Sequence, residues 1–157
     1  MRITKRLSLL LVLALMISCI GTGQKPALDL DQISLPDGFS INVYANDVEG
    51  ARSMVLSDDG TLFVGTRGVG NVYALVDEDG DHRIDKKYII ASGLNQPNGV
   101  ALKNGDLYVA EISRILRFRQ IGSSLENPPE PEVVYDDYPS EKHHGWKYIA
   151  FGPDGWL

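Results

Sequence analysis

The sequence predicts an all-β protein made of repeated hairpin units. From residue 40 onward, short segments rich in Val, Ile, Leu and Tyr alternate with turns rich in Gly, Asp, Asn and Pro, which is the pattern of strands and tight turns. No segment keeps the apolar spacing of an amphipathic helix over three turns. A chain of 157 residues, 43% of them hydrophobic, is long enough to bury a core.

Three stretches of the sequence share one pattern: an apolar strand, a tight turn that ends in glycine, and a second apolar strand. They are MVLSDDGTLFV at 54–64, GVALKNGDLYV at 99–109 and YIAFGPDGWL at 148–157. The turn glycines Gly60, Gly105 and Gly155 are 45 and 50 residues apart, and glycine suits such turns because it tolerates positive φ. A period of this length with about four strands per unit is typical of a β-propeller blade.

The strands of the blades follow from this repeat. The first blade is predicted to have strands at 51–57, 61–67, 71–76 and 87–91, and the second at 98–103, 106–112, 114–119 and 132–135. A third blade is predicted to begin at residue 147, and 39–44 is predicted to complete the last blade of the ring. Because propellers have about 4–8 blades, we expect residues 37–157 to be an N-terminal part, of two and a half blades, of a longer propeller.

The N-terminus has the features of a secretory signal. Residues 1–6 are basic, and residues 9–17 form an apolar run that is too short to cross a bilayer but typical of a signal peptide. The run ends at Ser18 and Cys19, and LMISC at 15–19 resembles the lipobox of bacterial lipoproteins. This implies a signal peptide at 1–18, lipidation of Cys19, a tether at 19–36 and a lipid-anchored protein of the cell envelope, on the periplasmic face or the cell surface. The alternative is an ordinary signal peptide with an incidental cysteine.

The charge of the chain limits its partners. The formal net charge is −6, and the part after the basic N-terminus is more acidic still. Binding to nucleic acid or to an anionic membrane surface needs clustered Lys and Arg. The sequence therefore argues against both partners, and membrane contact is predicted only through the lipid anchor.

Four segments resemble the glucose/sorbosone dehydrogenase family, most closely its sorbosone dehydrogenase-like branch. They are LPDGF at 35–39, GLNQPNGVA at 93–101, GDLYVA at 105–110 with RILR at 114–117, and HGWKYIAFGPDG at 144–155. The resemblance implies a six-bladed propeller that binds pyrroloquinoline quinone (PQQ) over a calcium ion, oxidises a sugar or sugar-aldehyde and passes the electrons to an acceptor. The alternatives are a non-catalytic propeller lipoprotein that binds carbohydrate or protein, and a lactonase or other hydrolase of similar shape.

The same resemblance points to site residues. His144, eight residues before Gly152, is implied to be the general base that takes the proton from the C1 hydroxyl while hydride passes to PQQ. A neutral imidazole suits that role near neutral pH, and a structural histidine is the alternative. His143 replaces an aspartate that contacts substrate in related enzymes, and a metal site formed by the pair is disfavoured because adjacent strand residues point to opposite faces. Gln96 falls near a family glutamine that binds the sugar, with Asn98 as its rival and a turn cap as the alternative.

An acidic stretch, Asp77-Glu-Asp79-Gly-Asp81, resembles a calcium loop. It lacks the glutamate expected at the twelfth position, which is Tyr88. We therefore predict a solvated acidic turn between the outer strands of the first blade, with His82 exposed in it.

The remaining candidates are predicted to be structural. The resemblance implies that the basic residues contacting PQQ follow Leu157, so three arginines are expected on the blade surface: Arg67, Arg114 and Arg117. Four aromatic residues in or beside strands are expected to pack between blades: Tyr73, Tyr108, Trp146 and Trp156.

Overall fold

The structure is a computed structural model that describes residues 28–157. The chain divides after Ser40 into two units. The described part of the first unit is an exposed stretch with one short 3-10 helix, η1 (Leu30–Gln32). The predicted signal peptide, Cys19 and the tether as far as residue 27 lie outside the described residues. Between residues 28 and 157, no helix has both the length and the apolar character needed to cross a bilayer.

The second unit, from Ile41, contains two four-stranded antiparallel sheets in which strands adjacent in sequence are adjacent in the sheet. Sheet A consists of β1 (Ala51–Leu56), β2 (Leu62–Thr66), β3 (Val72–Val76) and β4 (Lys86–Ala91). Sheet B consists of β5 (Gly99–Lys103), β6 (Asp106–Ala110), β7 (Ile115–Phe118) and β8 (Glu132–Tyr135). A 3-10 helix, η2 (Ile121–Ser123), connects β7 to β8. The predicted all-β fold and its two four-stranded sheets are confirmed, and each strand begins and ends within about two residues of its predicted bounds.

Two predicted strands are not observed. Residues 39–44 and 147–157 belong to no sheet in the described part of the chain. The third predicted turn does form, because the Gly152 N–H donates to the Trp156 carbonyl at 2.8 Å and the Gly155 N–H donates to the Gly152 carbonyl at 2.9 Å. A strand needs a neighbour that pairs with a run of its N–H and C=O groups. Within residues 28–157 neither segment has such a ladder, and the single bond from the Ile84 N–H to the Tyr44 carbonyl at 3.1 Å does not make one.

The two sheets share one apolar core. The core side chains come from six of the eight strands and from η2: Phe63, Val72, Ala74, Ile90, Val100, Leu107, Val109, Leu116, Phe118 and Ile121. Strand neighbours of these residues point to the opposite face, where Val64, Tyr73 and Leu75 pack against residues 44–48. Tyr73 and Tyr108 are packing residues as predicted, Tyr108 against Phe151 at 4.9 Å. The prediction for Trp156 is wrong, since 79% of it is exposed.

A buried ion pair joins β6 to β7. The Asp106 carboxylate accepts the Gln120 N–H at 2.8 Å and the Arg117 Nε at 2.7 Å. Burial alone would raise the pKa of Asp106, but the Gln120 and Arg117 donors outweigh it, so the pKa is lowered. A carboxyl whose folded pKa is depressed stabilises the protein above its unfolded pKa of about 4, and this contribution is lost as the pH falls through the folded value.

We expect Asp106→Asn to lower the free energy of unfolding by about 1–2 kcal/mol at pH 7, because it removes the charge from a buried ion pair. The loss should shrink as the pH is lowered below about 4. Urea denaturation of both proteins at pH 7 and pH 3 measures this. Equal stability at pH 7 would count against the pair as a stabilising contact.

Candidate functional site

Four loops gather at one edge of the two sheets, which we call the loop edge. The strands alternate in direction, so residues 67–71, 92–98, 111–114 and 136–147 all follow the same ends of the sheets. Backbone hydrogen bonds connect each loop to the next: Leu94 N–H to the Gly70 carbonyl at 2.9 Å, Ile112 N–H to the Asn95 carbonyl at 3.2 Å, and Tyr138 N–H to the Ser113 carbonyl at 3.2 Å. The loop edge is therefore one continuous surface.

The two predicted site histidines lie in a tight turn at this edge. The turn is closed by a hydrogen bond from the Gly145 N–H to the Lys142 carbonyl at 3.3 Å. His143 and His144 are both exposed. His144 has φ +56, a left-handed conformation that costs a residue with a Cβ about 1–2 kcal/mol. Such strain persists only where the surroundings impose it, and it is frequent at functional sites.

The residues after His144 hold this turn in place. A Cβ on Gly145 would stand 2.1 Å from the Glu141 carbonyl oxygen. The Lys147 ammonium donates to the Ile112 carbonyl, and to the Gly145 carbonyl at 3.1 Å. The Asn98 amide donates to the Lys147 carbonyl at 2.8 Å. The segment 145–147 is thus tied to both neighbouring loops.

A row of stacked side chains leads away from His144. The His143 and His144 ring centroids are 4.3 Å apart, and the His144 and Trp146 centroids are 5.3 Å apart. The Arg67 guanidinium carbon lies 4.0 Å from the centroid of the Trp146 ring. Arg67 is exposed, as predicted. Its contact with Trp146 places it in the site, because Trp146 also contacts His144. No local pattern in the sequence indicates this contact, because 79 residues separate Arg67 from Trp146.

Gln96 and Asn98 differ in what their side chains do. Asn98 is 5% exposed, and its amide donates to the Ser53 hydroxyl at 3.3 Å and to the Lys147 carbonyl at 2.8 Å. Gln96 has φ +54, and its Oε1 is buried without a hydrogen-bond partner among the described residues. An unpaired buried acceptor costs about 1–3 kcal/mol and calls for an explanation such as a ligand. The geometry therefore favours Gln96 over Asn98 as a binding residue.

Glu111 supports the loop that carries Gln96. It is 2% exposed, accepts the Asn95 N–H at 2.5 Å and is ion-paired with Arg114. This pairing uses the Nε of Arg114. Sequence reasoning gave Glu111 no role, although an acidic residue directly after an apolar strand was a usable signal.

The acidic turn lies at the opposite edge of sheet A, because β3 runs from Val72, near the loop edge, to Val76, just before Asp77. As predicted, it is a turn and His82 is exposed. Ligand atoms of Asp77, Asp79 and Asp85 lie within 4.8 Å of one another and could hold a cation.

Asp85 was not anticipated in this group; it joins because it immediately precedes β4. The carboxylates already serve the turn, since Asp77 accepts the Gly80 N–H at 2.8 Å and the His82 N–H at 2.9 Å. Burial, and then the charges of Asp77 and Asp85, raise the pKa of Tyr44 beside them. This acidic group is separate from the His143–His144 turn at the loop edge.

The fold is similar to part of two solved structures. Two solved structures of the Trichoderma reesei carbohydrate-active enzyme family AA12, an iodide structure and a calcium structure, match this chain with TM-scores of 0.60 and 0.54. Both are 16% identical to it, and the matches cover 76% and 68% of this chain. At that identity the likeness shows the fold alone.

In sequence, an uncharacterized protein of Borreliella burgdorferi is 23% identical over 120 residues, which is 76% of this chain. No family model matches the chain. The chain spans 27% of the length of the Borreliella protein and 31% and 28% of the two solved structures.

Proposed function

We propose that this chain contributes two blades to a six-bladed propeller and that its loop edge is part of the active site of a PQQ-dependent oxidoreductase acting on a sugar or sugar-aldehyde. The observation that carries the proposal is the strained, exposed His144 turn at the edge where four loops meet. The similarity in fold to carbohydrate-active enzymes supports it, as does the sequence resemblance to glucose/sorbosone dehydrogenases.

The outer surfaces of the two sheets support the propeller. Met54 and Leu56 share one face of β1 and are 58% and 64% exposed, and Val134 of β8 is 51% exposed. Contiguous exposed apolar side chains on strands are the surfaces that proteins cover. Further blades on either side would cover them.

The loop edge offers the groups that oxidation of a sugar hydroxyl needs. His144, exposed and free of a carboxylate partner among residues 28–157, accepts the hydroxyl proton. Gln96 and His143 contact the same substrate. PQQ, when bound, would supply the acceptor for the hydride that leaves the carbon bearing the hydroxyl that His144 deprotonates.

The side chains of the loop edge fit one feature of PQQ. PQQ is a planar ring system with three carboxylates, and an arginine stacked on an aromatic ring, as Arg67 is on Trp146, suits such a group. The acidic turn does not suit the calcium ion implied beneath PQQ, because it lies at the opposite edge of sheet A. If that turn binds calcium, the ion is a different one.

The N-terminal sequence is the basis for a proposed location. We propose that Cys19 is lipidated and anchors the protein in the cell envelope, with the propeller exposed to water. Mass spectrometry of the mature N-terminus tests this. An unmodified Cys19, or cleavage at another residue, would rule out the lipid anchor.

The activity is tested on the full-length protein loaded with PQQ and calcium. We expect reduction of an electron-accepting dye with at least one member of an aldose panel, and none when PQQ is omitted. No turnover with any aldose would contradict the oxidoreductase assignment. Binding of carbohydrate without dye reduction would then favour the non-catalytic propeller.

A further inference from the structure

The arginines of the described chain fall into two groups. Three are ion-paired: Arg114 with Glu111, Arg117 with Asp106, and Arg119 with Glu132. For Arg52, Arg67 and Arg83, no carboxylate oxygen among residues 28–157 lies within 4.0 Å. Of these three, only Arg67 is stacked on an aromatic ring.

Stacking fixes Arg67 without using its hydrogen bonds. The Arg67 guanidinium carbon lies 4.0 Å from the centroid of the Trp146 ring, and an arginine that stacks on an aromatic ring keeps its N–H fork available for a planar anion. Trp146 in turn stands between two anchored residues, Gly145, which has no room for a Cβ, and Lys147, whose ammonium is bound to two carbonyls. An arginine held in this way has already lost much of its rotamer freedom, so less entropy is lost when it binds an anion.

The position of Arg67 connects it to the histidine turn. The ring on which Arg67 stacks is also the ring that contacts His144, at 5.3 Å between centroids. A planar carboxylate is the group that the guanidinium fork matches in two parallel hydrogen bonds. A ligand held by Arg67 would therefore lie beside the ring that contacts the proposed base.

We propose that Arg67, oriented by Trp146, is a carboxylate-binding residue of the loop edge. The proposal rests on the proposed function for the nature of the ligand. The carboxylate comes either from PQQ or from an acidic sugar such as a uronate, and the two sources make different predictions. In the first case Arg67 helps to hold the cofactor, and in the second it selects acidic sugars over neutral ones.

The test is calorimetric titration of the full-length protein with PQQ, and of the PQQ-loaded protein with glucuronate and with glucose. Arg67→Gln keeps a planar group over Trp146 and removes the charge, while Arg67→Lys keeps the charge and removes the fork. Arg83→Gln is the matched control, because Arg83 is also exposed and without a carboxylate partner in the described chain, but lies in the acidic turn. None of these readouts requires turnover.

We expect Arg67→Gln to weaken the binding of one carboxylate ligand, PQQ or glucuronate, by about 10- to 100-fold. Arg67→Lys should have an intermediate effect, and Arg83→Gln should leave binding unchanged. Weaker PQQ binding alone identifies the cofactor as the source, and weaker glucuronate binding with unchanged glucose binding identifies the substrate. The proposal is overturned if the wild type binds neither PQQ nor glucuronate, or if Arg67→Gln binds both as well as the wild type.

The outcome is separable from that of the proposed function. Binding through Arg67 without any dye reduction would remove the oxidoreductase assignment and leave the carboxylate site. Dye reduction by the wild type, together with unchanged binding of PQQ and glucuronate by Arg67→Gln, would support the oxidoreductase assignment and remove the carboxylate site.

Discussion

Replacing His144 with alanine is expected to lower the turnover number of the full-length, PQQ-loaded protein by about 10²- to 10⁴-fold, the usual contribution of a general base. The substrate hydroxyl must lose its proton as the hydride leaves, and His144 is the exposed acceptor on the anchored turn. Steady-state kinetics at saturating aldose measures the effect. Turnover within a few-fold of the wild type would exclude His144 as the base.

Replacing His144 with glycine separates catalysis from structure. Glycine adopts φ near +56 without a Cβ clash, so His144→Gly should leave the free energy of unfolding unchanged or raise it by up to about 1 kcal/mol. The same variant should lose turnover as the alanine variant does. A residue kept only for structure would show the opposite result, lower stability with activity retained.

His82 provides the matched control for this experiment. It is an exposed histidine with φ +67 in the acidic turn, at the opposite edge of sheet A. His82→Gly should match the change in stability of His144→Gly and leave turnover unchanged. A similar loss of turnover in both variants would mean that the effect does not come from the loop edge.

The second large effect is expected at Gly65 of β2. A Cβ there would stand 2.4 Å from the Asn98 carbonyl oxygen and 2.6 Å from the Pro97 carbonyl oxygen. Both atoms are backbone, so they can move only if the loop 92–98 moves with them. The Thr66 N–H, which donates to the Pro97 carbonyl at 3.0 Å, would be displaced too. We expect Gly65→Ala to lower the free energy of unfolding by about 3 kcal/mol.

Gly68 controls for the intrinsic effect of the glycine to alanine change. It lies three residues further on, and a Cβ there meets nothing within 4 Å. Gly68→Ala should change the free energy of unfolding by less than about 1 kcal/mol. Urea denaturation curves of the two variants give the comparison. Equal stabilities for Gly65→Ala and Gly68→Ala would contradict the close contact between β2 and the loop.

The strands could be predicted from the sequence because they depend on local pattern. Turn glycines such as Gly60 and Gly105 end apolar runs of strand length, and side-chain alternation then sets the buried faces. The predicted strands at 39–44 and 147–157 failed because an apolar run does not reveal whether a hydrogen-bonding neighbour is present. The local signal for a strand is the same with or without a partner.

The site was less predictable because it depends on contacts between distant loops. The resemblance pointed to His144 and Gln96, but the stacking of Arg67 on Trp146 joins loops that follow different sheets. Asp85 joins the acidic turn only because β4 pairs with β3. Positive φ at His144 and Gln96 is likewise imposed by neighbouring loops, and neither residue type signals it.

An experimental structure of the full-length protein with PQQ, calcium and an aldose bound would show directly whether the loop edge is the sugar site. We expect the sugar there, with its C1 hydroxyl within hydrogen-bond distance of a His144 ring nitrogen. Ligand bound at another surface, with His144 facing solvent away from it, would exclude His144 as the base.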